Sequence, residues 1–213
     1  MRKKGFTLIE LLVVIAVIAL VISIIVPLLG RVRLLGKVTA VNAELRYIAL
    51  ALHMYGTDHE DKFPPVRWDC GNADNYFQLP RELSELEYLA QGDKSKGVSA
   101  NIEDRFNRPR TYKYMAVGPQ FGNNDMPVDD LALWIPDGFP DNEQETGSYY
   151  DKPNLSPVTW VLFSIGPNYD SYELRQMKYP VPSKTWFNAN KRAGVITRIR
   201  MKNGRQTGSF EIK

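Results

Sequence analysis

The chain has one cysteine, Cys70, and two histidines, His53 and His59, among its 213 residues. A single thiol excludes an internal disulfide, so a domain outside the cytoplasm would fold without that staple. His53 and His59 have no Cys or Glu at zinc spacing and read as solvated or helix-end residues. No nucleophile motif, phosphate-binding glycine loop or paired-carboxylate signature occurs, and Cys70 has no partner that would make it a catalytic thiol. The chain is therefore read as a non-enzyme. Acidic charge is scarce at the N-terminus: Glu10 is the one carboxylate before Gly30. A polar helix face is missing there too.

What is present is an apolar run from Phe6 to Leu29, preceded by Arg2, Lys3 and Lys4 and interrupted by one formal charge, Glu10. A membrane-spanning helix needs about 20 mostly apolar residues. The run meets that length, and Thr7, Glu10 and Ser23 are too few to give a polar face. A secretory signal peptide has a shorter apolar region, closely followed by its cleavage site. Here the small-residue candidates, Val38-Thr39-Ala40 and Val41-Asn42-Ala43, lie beyond Arg31, Arg33 and Lys37. Basic residues flank both ends equally, so the positive-inside rule does not decide orientation. The short leading tail favours an inside N-terminus. A carboxylate near the end of such a helix is costly and rarely lacks a partner or a job.

Lys4-Gly5-Phe6-Thr7-Leu8-Ile9-Glu10, followed by Leu11-Leu12-Val13-Val14, resembles the class III signal of type IV prepilins and type II secretion pseudopilins. The resemblance implies cleavage by a prepilin peptidase between Gly5 and Phe6, then N-methylation of Phe6. It also implies that Glu10 pairs with the terminal amine of a neighbouring copy during assembly. A buried carboxylate without a partner is heavily penalised, a buried pair much less. That penalty would favour correct register. Pro27 falls where the family commonly has a proline and its filament helix loosens; Gly30 and Gly36 would add to the weakness.

Beyond Gly30, Leu34, Val38, Val41, Leu45, Ile48, Leu52 and Tyr55 recur at alternating spacings of four and three, one face of a helix. Gly56 and Asp58 suggest its stop. The division expected is a leader over 1–5, a membrane and assembly helix over 6–29, its amphipathic continuation over 30–56, and a periplasmic globular domain over 57–213. The stripe is expected to pack on that domain rather than to form a coiled coil. Phe63-Pro64-Pro65 reads as an extended link, and Pro80–Leu89 as a short helix presenting Leu83, Leu86 and Leu89 on one face. Strands are expected over Thr111–Val117, Leu131–Ile135, Val158–Ile165, Val195–Met201 and Thr207–Ile212, the last two joined by an Asn203-Gly204 turn. The fold class is α+β and pilin-like: a long N-terminal membrane-embedded helix packed on a small antiparallel sheet.

Three segments are more narrowly similar to the major pseudopilin. They are Ile48-Ala49-Leu50-Ala51-Leu52 with Tyr55, Asp58, Phe63 and Pro64; Asn107–Tyr114; and Trp160–Asn168. The stretch from Gly118 to Pro157 is a longer insert than that subunit implies. Its loop after the third segment often binds calcium. Ser164, Asn168 and Asp170 are the candidate oxygen ligands here, against an ordinary hydrogen-bonded turn, with Asn168 standing where the family has an aspartate. Asp125, Asp129 and Asp130 match no calcium loop.

Losing Arg2, Lys3 and Lys4 with the leader takes 27 basic side chains to 24, equal to the 24 acidic ones. Charge is nevertheless segregated. Asn123–Glu173 holds ten acidic residues and one basic, and Arg175–Lys213 holds ten basic and one acidic. Three readings stay open: pairing within the domain, complementary faces between stacked subunits, or nucleic-acid contact through the basic tail. Nucleic acid is the least favoured partner.

The function implied is that of a structural subunit of a type II secretion-like pseudopilus. It would be held in the inner membrane with its N-terminus cytoplasmic, then polymerised with itself and other pseudopilins. An inner-membrane assembly platform and a cytoplasmic ATPase would drive that step. The alternative is a type IV pilus subunit for adhesion, motility or DNA uptake.

Overall fold

The computed structural model describes residues 7–67, 78–92, 100–122, 125–135, 148–167 and 182–210. The chain forms two compact units, Met1–Lys37 and Val38–Lys213. Helix α1 runs continuously over Leu8–Asp58. It continues through Pro27, whose missing amide leaves the Ser23 carbonyl without its helical donor.

The helix ends at Asp58, the second of the two residues the sequence suggested as its stop, rather than at Gly56. Gly56 is still helical, and its carbonyl accepts from the Asp61 amide at 2.8 Å. The left-handed residues that turn the chain are Glu60 and Asp61, with φ of 56° and 57°. Glycine is needed at 56 for space: a Cβ there would lie 3.0 Å from the Phe63 ring.

In the second unit the expected stripe is buried at Val38, Val41, Leu45, Ile48, Leu52 and Tyr55. These side chains share one core with Tyr112, Tyr114, Ala116, Trp160, Leu162 and Ile196. The central sheet runs β2 (Lys113–Ala116), β7 (Val158–Ser164), β8 (Ile196–Met201) and β9 (Gln206–Gly208), all antiparallel. Alternation along β2 and β7 sends Tyr114 and Leu162 toward the helix. Met115, Val161 and Phe163 enter a second core on the opposite face. The Asn203-Gly204 turn forms as expected, with Gly204 at φ 83° and the Met201 amide donating to the Arg205 carbonyl at 2.8 Å.

The insert from Gly118 to Pro157 contains four strands, of which the sequence anticipated only Leu131–Ile135. Strands β3 (Gly118–Phe121) and β4 (Pro127–Leu131) pair antiparallel, and β1 (Val66–Arg67) joins β3 in parallel. Strands β5 (Leu133–Ile135) and β6 (Ser148–Tyr150) form a separate ribbon. Leu133 and Ile135 belong to the second core, so the ribbon helps cover the sheet face away from the helix. The expected helix over Pro80–Leu89 shrinks to α2, Glu82–Glu85. Glu87 at φ 62° ends it, and the Leu89 amide reaches back to the Leu83 carbonyl at 2.7 Å. Leu83 and Leu89 are buried while Leu86 stays exposed.

Candidate functional site

The N-terminal half of α1 is apolar on every side. Seventeen Leu, Ile and Val side chains from Leu8 to Leu29 are 44–81% exposed. Full burial of such a side chain is worth about 1.5–3 kcal/mol; with roughly half of each still exposed, the seventeen together forgo roughly 15–30 kcal/mol in water. Such a surface requires lipid or other helices. Among the described residues this is the one helix long and apolar enough to cross a membrane.

Glu10 lies in the first turn of this helix. Its Oε2 accepts from the Thr7 amide at 2.8 Å and from the Thr7 hydroxyl at 2.7 Å. The Glu10 amide in turn donates to Thr7 Oγ1 at 3.3 Å. This is a capping box, in which residues three apart satisfy amides that the helix start leaves orphaned. Its signal, Thr-x-x-Glu before an apolar run, was present in the sequence. Thr7 is therefore a site residue that the family resemblance alone did not single out. Gly5 and Phe6 lie outside the described residues. Pro27 sits inside the helix, and Ser23, one turn before it, donates its hydroxyl to the Leu20 carbonyl at 2.7 Å. A Cβ at Gly30 or Gly36 would meet nothing within 4 Å, so neither glycine is required by packing.

Of the three calcium candidates, Ser164 alone lies among the described residues. Ser164 is fully buried; its hydroxyl donates to Asp104 Oδ1 at 2.7 Å and accepts from the Gly166 amide at 3.1 Å. Asn168 and Asp170 lie outside the described residues, as does Cys70. Among the described residues no three His, Cys, Asp or Glu side chains come together to hold a metal. Burial pushes the Asp104 carboxyl up to about 6, and burial pulls the Lys113 ammonium down to about 7. The Asp104 carboxylate also accepts from the Phe106 amide at 2.9 Å, tying the 101–110 loop to the end of β7.

A second polar node fastens that loop to α1. Glu44 accepts from Arg105 Nε at 2.7 Å and from the Tyr112 hydroxyl. Burial and this bond raise the Tyr112 phenol well above its ordinary range. Asp125 is an ion-pair anchor: it bonds Arg67, and its Oδ2 accepts from Arg81 at 2.7 Å. Both partners lie outside the C-terminal basic block. Arg200 of that block lies 3.9 Å from Asp61 and over the Phe63 ring. His53 is exposed, and the His59 ring stacks on Tyr55 at 3.9 Å.

The prokaryotic N-terminal methylation motif matches residues 1–26. The chain carries the N-terminal signal of type IV pilin-like proteins. The matched segment covers the basic tail, Gly5-Phe6, the Thr7–Glu10 capping box and most of the exposed apolar helix. In this pilin-like chain the motif implies processing by prepilin peptidase, anchoring in the membrane through the N-terminus, and assembly with pilin-like subunits. No curated protein and no solved structure matches the chain.

Proposed function

We propose that this pilin-like chain is a structural subunit of a type II secretion-like pseudopilus. Cleavage falls between Gly5 and Phe6, and the new Phe6 amine is methylated. The domain faces the periplasm while the N-terminus starts on the cytoplasmic side. Assembly draws the helix from lipid into a filament core, where Glu10 pairs with the Phe6 amine of an adjacent copy. The role is mechanical rather than catalytic: growth of the filament pushes exported proteins outward.

The observation that carries this reading is a carboxylate at the start of a helix exposed on every apolar side, five residues past a glycine. In the single chain Thr7 is the only described hydrogen-bond partner of that carboxylate. Methylation leaves the Phe6 amine positive, so a neighbour offers a full countercharge where Thr7 offers only dipoles. In low-dielectric surroundings that difference is large.

The secretion-type role is supported by the helix end around Ile48–Tyr55 and by the strand from Trp160. Both resemble the major pseudopilin and both contribute to the domain core. The lone cysteine also differs from the paired cysteines that commonly close a C-terminal loop in surface pilins. Deleting the gene and assaying both exported enzymes and surface fibres tests the choice. Loss of export with fibres intact is expected; lost fibres with normal export would assign the chain to a pilus instead.

A further inference from the structure

The face of α1 opposite its buried stripe is also patterned. Arg46, Tyr47, Leu50, His53 and Met54 fall at helical spacing on that face and all are exposed; Tyr47, Leu50 and Met54 are 50–54% exposed. Arg46, Tyr47, Leu50, His53, Arg198 and Gln206 line a groove of about 380 Å³ beside it. Its charge is basic. The guanidinium of Arg198 is held by Gln206 at 2.7 Å and lies over the Phe210 ring, and Arg200 approaches His53 at 3.4 Å. Arg46 has no ion-pair partner among the described residues.

Strand β4 has the complementary character. It is an edge of the β1–β3–β4 sheet, and Pro127, Val128, Asp129 and Asp130 are all exposed. Met126 and Val128 fall on one side by alternation, and the β3–β4 register shifts beyond Val128, so Asp129 and Asp130 sit at an irregularity of the edge, both exposed next to that apolar pair. Met126 is 66% exposed. Neither Asp129 nor Asp130 has an ion-pair partner among the described residues.

We propose that the groove beside Arg46 and Leu50 receives strand β4 of a second copy of this chain. Val128 and Met126 of one copy cover Leu50 and Met54 of the other, and Asp130 and Asp129 meet Arg46 at the basic rim. The two patches differ, so the contact is heterologous. Each copy therefore offers one donor strand and one acceptor groove, and contacts of this kind propagate rather than close in pairs. Opposite charges at the rim fix partner and register more than they add affinity. The proposal rests on the filament-subunit reading and assigns that filament a contact outside the apolar helix.

The test uses the full chain in membranes of producing cells. A Cys70→Ser background removes the native thiol; Leu50→Cys and Val128→Cys are then introduced together and treated with a short bis-maleimide. A ladder of dimers, trimers and longer species is expected, whereas each single-cysteine chain yields at most a dimer. Arg46→Glu, or Asp129→Lys with Asp130→Lys, should weaken the ladder about tenfold, and combining the two sets should restore it. These positions are exposed, so leader removal should be unaffected. Filaments that form without a ladder overturn this contact and leave the subunit reading standing; the acidic edge would then serve only to keep β4 unpaired. A chain never found above the monomer overturns both.

Discussion

Thr7 and Glu10 cap the start of the membrane-length helix reciprocally, the carboxylate accepting from both the Thr7 amide and its hydroxyl at 2.8 and 2.7 Å. The same carboxylate is the group proposed to meet a neighbour's amine. The two roles separate by substitution. Glu10→Gln keeps a capping-box residue and removes the charge, so the leader should be removed normally while filament yield falls at least about tenfold. Thr7→Ala loses about 1 kcal/mol of capping and keeps the charge, so filaments should persist. Mature mass and sedimented filament yield read both. Equal yields from Glu10→Gln and the unchanged chain would remove the pairing role.

Glycine acts oppositely at two points of one helix. Gly36 has open space around it, so Gly36→Ala should stabilise the helix by about 1 kcal/mol. Gly56 packs under the Phe63 ring, and Gly56→Val should destabilise the domain by roughly 1–3 kcal/mol. Thermal melting of the full chain in detergent micelles should shift up for the first and down for the second. A rise for Gly56→Val would contradict the close Phe63 contact.

The Asp104 carboxyl is held near 6 by burial, above its value of 3.8 in the open chain. The folded state therefore binds the proton more tightly, and stability falls as pH rises from about 4 to about 6. The loss is of the order of 2–3 kcal/mol. Asp104→Asn keeps an acceptor for Ser164 and has no proton to lose. Its melting temperature should lack that decline between pH 4 and pH 6. A parallel decline in both proteins would assign the effect elsewhere.

Glu44 serves two partners, Arg105 and Tyr112. Glu44→Ala leaves a buried phenol and a guanidinium without their acceptor, at a cost of about 1–3 kcal/mol. Tyr112→Phe in the same background should then cost little more, because the bond is already gone. Additive losses in the double variant, followed by chemical denaturation, would show that the two groups act independently.

Much of this was legible in the residues because periodicity reports burial. The four-three spacing from Val38 to Tyr55 translated directly into a buried helix face. The Asn203-Gly204 pair marked its hairpin because glycine supplies the positive φ there. The capping box is written as Thr7-x-x-Glu10 before an apolar run, whereas a partner for Glu10 in another copy is implied by the family resemblance alone. Strand β4 was not legible: Pro127, Asp129 and Asp130 suit a loop, and the segment becomes a strand through pairing of Pro127, Val128 and Leu131 with β3. The parallel pairing of Val66–Arg67 with β3 joins residues more than fifty positions apart, which local pattern does not encode. Gly56 reads as a helix stop by type, but its neighbour Phe63 gives it a different task.

The central claim is that this chain becomes an assembly subunit when a cut after Gly5 frees the amine that Glu10 of another copy binds. The most direct measurement is the intact mass and N-terminal sequence of the protein purified from its native membrane. The account predicts a chain beginning at N-methylated Phe6, without Met1–Gly5. A chain that begins at Met1 and carries no methyl group would contradict it.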